Sequence, residues 1–139
     1  MTTPTYNKPL PTPQPESDYY WEKAKAHELW LRHCNDCSST YFYPRDICPD
    51  CFSRNTTWVK SSGKGTLHAF AIVQRAPHPA FADMAPYVVA FIDLEEGARM
   101  PSNLVQVEPD QEHIKIGMAV EVVFDDVTDA ITLPKFKPV

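Results

Sequence analysis

The chain has 139 residues, a net charge of −5, an apolar share of 43% and a charged share of 22%. These proportions are ordinary for a globular protein and allow one or two small units with a modest core. No apolar run approaches the roughly 20 residues of a membrane helix. The N-terminus has neither the basic nor the apolar segment of a secretory leader, which predicts a cytoplasmic protein with reduced cysteines and no membrane contact. The charge is uneven: residues 1–65 hold eight Lys/Arg and seven Asp/Glu, a balance of +1, and residues 66–139 hold five and eleven, a balance of −6. Nucleic-acid affinity rests largely on neutralising phosphates, so an acidic second half makes that partner a poor fit.

Residues 1–16 carry Pro4, Pro9, Pro11, Pro13 and Pro15. Proline at every second position blocks a helix and cannot donate to a ladder, so an extended arm is expected, either loose or laid along a partner. Ser17-Asp18 supplies helix-start chemistry, and a helix is expected from Tyr19 to His27 with Tyr20, Trp21 and Ala24 on one face. Leu29-Trp30-Leu31 reads as a short strand.

All four cysteines of the chain follow, as Cys34-Asn35-Asp36-Cys37 and Cys48-Pro49-Asp50-Cys51. A two-residue gap lets both sulfurs of a pair reach one ion from a tight turn, and the second pair closes a tetrahedron. A filled four-thiolate set leaves no open position for substrate, which is the pattern of a structural Zn2+ site. Ten residues separate the pairs, fewer than the roughly 15–20 of the common spacing, yet enough for a short hairpin that includes Thr40-Tyr41-Phe42-Tyr43. Two disulfides, a rubredoxin-like iron site and a redox pair are the competing readings; the first needs an oxidising compartment. Arg45 and Arg54 flank the second pair.

Thr56-Thr57-Trp58-Val59 closes the ribbon, and Ser61-Ser62-Gly63-Lys64-Gly65 forms a turn-rich hinge without the frame of a phosphate loop. From Thr66 the period becomes strand-like. Strands are expected at 66–74, 87–94, 99–107, 119–124 and 131–136, with Pro101 weakening the third and Pro134 placing the last at an edge. Five strands at this spacing suggest a small Greek-key barrel, with the OB-fold as the leading case. The expected division is an arm at 1–16, a helix and zinc ribbon at 17–61, and an OB-fold at 62–139, a mainly β chain overall.

The connection Arg75–Pro86 is long for a hairpin and holds three prolines with His78, Phe81 and Met84; long ordered loops often carry function. No catalytic set emerges. The cysteines are claimed by the metal, no Gly-x-Ser-x-Gly elbow exists, and the neighbouring pairs Glu95/Glu96 and Asp125/Asp126 would point to opposite faces of extended backbone.

Several segments resemble the small proteins in which a rubredoxin-like zinc ribbon precedes an OB-fold and which accompany thiolase-like acyl-CoA enzymes, a family long catalogued as a domain of unknown function. The segments are 31–37, Tyr43-Pro44-Arg45-Asp46-Ile47-Cys48-Pro49-Asp50-Cys51, 62–67, Pro86 to Gly97, 116–120 and Leu133-Pro134-Lys135-Phe136, in order. The chain departs from the family at Ser38 and Phe52, where glycine usually follows the second cysteine of a pair, and at Pro101-Ser102. The resemblance implies a non-catalytic accessory subunit that docks to a thiolase or thiolase-like aldolase, for instance as an α2β2 assembly, and helps enclose a CoA thioester. It implies structural Zn2+ on Cys34, Cys37, Cys48 and Cys51. It also points to Tyr41, Phe42 and Arg45 beside the metal, and to Arg75, His78, Phe81 and Tyr87 in the loop, as contacts for acyl-CoA or the partner. The alternative is a module for single-stranded nucleic acid, which would need a basic groove with aromatic platforms.

Overall fold

A computed structural model describes residues 6–139; the first residues of the proline-rich arm, including Pro4, lie outside the described residues. The described part of the arm has no regular structure but is tied to its own chain. Lys8 Nζ sits 3.0 Å from Asp83 Oδ1 in the long loop. Arg45 Nη1 sits 3.1 Å from Glu16 Oε1, and the Asp46 backbone N–H donates to the other Glu16 oxygen at 3.2 Å.

The helix α1 spans Asp18–Lys25, with Asp18 in its first turn and Lys23 and Lys25 in its last. Those signs complement the helix dipole. Ser17 occupies the N-cap without a side-chain cap bond; its hydroxyl instead accepts from the Gln14 backbone N–H at 3.0 Å. The helix ends two residues before the expected His27, where positive φ (62°) turns the chain away. Tyr20 and Ala24 are buried as expected from their spacing, and the Tyr19 ring packs 4.9 Å from Trp58.

Three short strands make the ribbon: β1 (Trp30–Cys34), β2 (Thr40–Tyr41) and β3 (Thr56–Lys60), in the order β2-β1-β3. The first runs on to Cys34, further than its apolar start suggests, because it keeps register with β3 from Trp30↔Lys60 to Cys34↔Thr56. The antiparallel pairing carries β1 directly into the first cysteine turn, and β2 follows it.

Five strands close a barrel: β4 (Lys64–Val73), β5 (Tyr87–Leu94), β6 (Arg99–Leu104), β7 (Ala119–Asp126) and β8 (Thr132–Pro138), in the order β4-β5-β6-β8-β7. Its inner face is the alternating set expected of strands half-facing a core, including Val88, Ala90, Ile92 and Leu94 from β5 with Met100, Leu104, Val120 and Phe136. Pro101 keeps the regular β5 register, opposite Phe91. The strand ends at Leu104, shorter than expected, because Gln106 takes φ 57°. Nor is β8 a free edge. It pairs with β7 along its length and with β6 in parallel at Leu104↔Phe136. Pro134 lies outside that parallel contact, where its missing N–H breaks no ladder bond on the β6 side.

Ribbon and barrel share one apolar cluster, since Tyr20, Leu29 and Leu31 pack with the barrel interior. The hinge between them is pinned by the β5–β6 turn: Ser61 Oγ donates to Glu96 Oε1 at 2.7 Å and the Ser62 N–H to Glu96 Oε2 at 2.9 Å. Gly63 is required here. It has φ 78°, and a Cβ would lie 2.4 Å from Val122 Cγ1. No helix among the described residues is long and apolar enough to cross a membrane.

Candidate functional site

The cysteine turns follow directly from the ribbon pairing. Each turn is a tight loop in which the residue after the second cysteine returns its N–H to the first: Ser38 N–H to Cys34 O and Phe52 N–H to Cys48 O, both at 2.9 Å. Ser38 and Phe52 both take φ 64°, the left-handed conformation that glycine usually supplies. Phe52 holds it while 78% exposed.

The four sulfur atoms lie within 4.8 Å of one another, with Cys34 Sγ 3.6 Å from Cys51 Sγ and Cys37 Sγ 3.6 Å from Cys48 Sγ. A tetrahedral ion with bonds of about 2.3 Å to sulfur needs sulfurs about 3.8 Å apart. The cluster fits. All four thiols are free. Backbone N–H groups of Cys37 and Asp36 draw the Cys34 thiol down to about 7. The Ser39 N–H pulls Cys37 the same way, but desolvation and its thiol neighbours outweigh it and push it up to about 12. Crowded thiols resist joint ionisation, whereas a dication in their midst favours the thiolate form of all four.

A feature of the sequence that its cysteine spacing alone does not expose surrounds this cluster. Two six-residue stretches fourteen positions apart, Cys34-Asn35-Asp36-Cys37-Ser38-Ser39 and Cys48-Pro49-Asp50-Cys51-Phe52-Ser53, share four residues as C-x-D-C-x-S. The structure crosses them. Ser39 Oγ donates to Asp50 of the other turn, and Ser53 Oγ to Asp36. Asn55 Nδ2 also donates to Asp36 at 3.1 Å, and these donors, Ser53 first, hold the Asp36 carboxyl below its usual range.

The residues expected beside the metal divide. Tyr41 is buried against Cys34 and Cys48 and donates its hydroxyl to Arg45 O at 2.6 Å, so it supports the turn from within and is 6% exposed. Arg45 stacks over Tyr43 at 5.0 Å. Phe42 packs on Tyr20 at 5.7 Å and borders a 190 Å³ cleft shared by α1, Pro101 and Pro134.

In the long loop, Pro79–Met84 form a 3-10 turn that begins where His78 Nδ1 accepts from the Ala80 N–H. His78, Phe81 and Tyr87 form a chain of rings with centroids 6.2 and 6.3 Å apart. Arg75 is exposed and joins them through no hydrogen bond or ion pair among the described residues. Tyr87, with Met84 and Pro86, lines a 280 Å³ cleft that continues along Leu104 to Val107. The loop set and the ribbon set share no bond or ring contact among the described residues. A larger cleft of 510 Å³ opens at the opposite end of β4, but Asp93, Glu95 and Glu121 face it with Lys64. That acidic lining suits phosphates poorly.

Comparison with known proteins agrees with this architecture. The family model described as "ChsH2, rubredoxin-like zinc ribbon domain" matches residues 21–57, and "ChsH2, C-terminal OB-fold domain" matches residues 58–125. A "DUF35 domain-containing scaffold protein" of Methanocaldococcus jannaschii is 42% identical over 114 residues, covering 76% of this chain and 78% of that protein. A protein of Thermomonospora curvata named "Probable enoyl-CoA hydratase alpha subunit" is 34% identical over 94% of this chain, which spans only 40% of that relative's length. The solved structure "Ltp2-ChsH2(DUF35) aldolase" superposes with a TM-score of 0.79 at 34% identity, covering 93% of this chain and 98% of that one. Ribbon, barrel and relatives together make this chain a member of the DUF35 family, in which a rubredoxin-like zinc ribbon precedes an OB-fold.

Proposed function

We propose that the chain is an accessory subunit of an acyl-CoA enzyme, with a thiolase-superfamily thiolase or aldolase as its partner. The observation that carries this reading is the match of both ribbon and barrel to a scaffold protein and to a chain solved in an aldolase, together with a cysteine cluster suited to structure rather than turnover. Cys34, Cys37, Cys48 and Cys51 would hold one Zn2+, whose charge stabilises the four thiolates and fixes both turns. The metal would be closed to substrate because all four positions belong to protein sulfur. The partner supplies the nucleophile and the acid–base groups.

Within this reading the chain contributes shape and orientation. His78, Phe81 and Tyr87 form an apolar wall of the kind that lines acyl sites, and exposed Arg75 is free to approach CoA phosphates. Arg45 and Phe42 offer a second contact beside the ribbon. The acidic 66–139 half and the acidic cleft at the far end of β4 weigh against single-stranded nucleic acid as the ligand.

The test is a tagged pull-down of this chain from its native cell extract, with mass spectrometry of what co-purifies. A near-stoichiometric thiolase-like subunit is expected, in a ratio such as two to two. Recovery of the chain alone, or with nucleic acid that salt removes, overturns the reading. In the purified complex, Phe81→Ala is expected to change turnover without releasing zinc; unchanged kinetics would remove the loop from the acyl-CoA site.

A further inference from the structure

We infer that the crossed pairs Ser39–Asp50 and Ser53–Asp36 form a latch that keeps the metal in the ribbon. Ser39, Asp50, Ser53 and Asp36 are positioning residues for the four sulfurs, not ligands. The inference rests on the proposed zinc site.

The geometry carries it. Each Asp sits inside its own Cys-x-x-Cys turn, one residue before the second cysteine, and each Ser lies two residues past the second cysteine of the other turn. Each hydroxyl therefore reaches across the cluster, from the exit of one turn to the tip of the other. The bonds inside each turn are local: Ser38 N–H to Cys34 O, Phe52 N–H to Cys48 O, Cys34 N–H to Ser39 O and Cys48 N–H to Ser53 O. The first turn is also tied to Asn55, by Asn35 N–H to Asn55 O at 2.9 Å and Asn35 Nδ2 to Asn55 Oδ1 at 3.2 Å, but those bonds anchor it to the start of β3 and not to the Cys48–Cys51 turn itself. The apolar support is equally thin: among the described residues, Tyr41 is the one buried residue clustered with Cys34 and Cys48. A metal ion leaves a closed four-sulfur cage only when one turn swings away from the other. That motion breaks both crossed hydrogen bonds at once. Hydrogen bonds to a charged acceptor are the stronger kind, and outer-shell partners of a metal site commonly change its affinity by about 10–100-fold.

The two halves are unequal. Asp36 keeps a second donor in Asn55 Nδ2 when Ser53 is removed. Asp50 has no second side-chain donor among the described residues. Loss of Ser39 therefore loosens the cage more than loss of Ser53.

The experiment loads the full chain with zinc and follows its release to an excess of a chelating dye. Ser39→Ala/Ser53→Ala is expected to release zinc about tenfold faster than the parent. Ser39→Thr/Ser53→Thr keeps both hydroxyls and is expected to match the parent, and Ser39→Ala alone is expected to exceed Ser53→Ala. The melting of the barrel, followed by circular dichroism, should stay in place throughout, since neither serine touches it. A double alanine variant that fails to load, beside a threonine variant that loads fully, also supports the latch. A double alanine variant within twofold of a zinc-loaded parent overturns the latch and leaves the zinc reading standing. A parent that takes up no zinc overturns both.

Discussion

The ribbon and the barrel are held together by opposite means. The barrel closes its strands on one another and fills the inside with side chains such as Ile92, Met100 and Phe136, each 2% exposed or less. The outer end of the ribbon has two strand pairs on β2, at Arg32↔Tyr41 and His33↔Thr40, and an apolar cluster of Cys34, Tyr41 and Cys48. Apolar burial is non-directional and accumulates with area, so the barrel tolerates local irregularities such as the Leu67/Ala69 register shift. The cysteine turns have too little area for that; with zinc bound as proposed, they would rely on directional contacts: sulfur to metal, and hydroxyl to carboxylate. A small unit that lacks a sufficient core needs a staple.

If that contrast holds, the largest effect comes from a cysteine. Cys48→Ser should release the metal, collapse the amide signals of residues 34–53 in a heteronuclear NMR spectrum and abolish partner docking, while signals from β5 and β6 persist. Structural zinc in finger peptides contributes about 10–16 kcal/mol at neutral pH, far more than any single packing contact. A Cys48→Ser chain that keeps one zinc and assembles normally contradicts the staple. The mirror-image change is Phe136→Ala, expected to lower unfolding free energy by about 3–5 kcal/mol in denaturant titrations while zinc stays bound until the barrel unfolds. Metal loss from folded Phe136→Ala would mean that the ribbon leans on the barrel more than its own contacts suggest.

A smaller effect probes the hinge between them. Burial pulls the Glu96 carboxyl upward, but the Ser62 N–H and the Ser61 hydroxyl more than offset it, leaving the group below its usual range. A carboxylate depressed in the folded state stabilises the fold above its unfolded value of about 4.3. The contribution is lost as pH falls through the lower folded value. Glu96→Gln should therefore be less stable by about 1 kcal/mol at pH 7, and its deficit in melting temperature should vanish toward pH 3. A deficit independent of pH would place the effect in packing rather than charge. Smallest is Phe52→Gly. The φ of 64° costs a non-glycine residue about 1–2 kcal/mol, and the ring is exposed, so the change should be neutral or slightly stabilising with zinc retained. A clear fall in melting temperature would assign the ring a packing role.

Local patterns made much of this protein legible before any coordinate. Alternation placed β5 at 87–94 to the residue and the two Cys-x-x-Cys pairs marked the cluster, while the family resemblance, through its usual glycines, pointed to the turns at Ser38 and Phe52. Each is a short-range signal, because a strand period, a ligand spacing and a turn conformation all lie within a few neighbouring residues. The remainder depends on contacts between distant residues. Strand ends shifted where a partner strand or a positive φ intervened, as at Cys34 and Gln106. Tyr41, expected beside the metal as a contact for acyl-CoA or a partner, is buried against Cys34 and Cys48. The arm binds its own loop through Lys8 and Asp83, seventy-five positions apart. The C-x-D-C-x-S repeat was written in the chain, but only the fold showed that the serine of each copy serves the aspartate of the other. The composition and spacing of the chain sufficed for a ribbon followed by a barrel. Which side chains meet across them was decided by chain closure, which brings together residues that no local period relates.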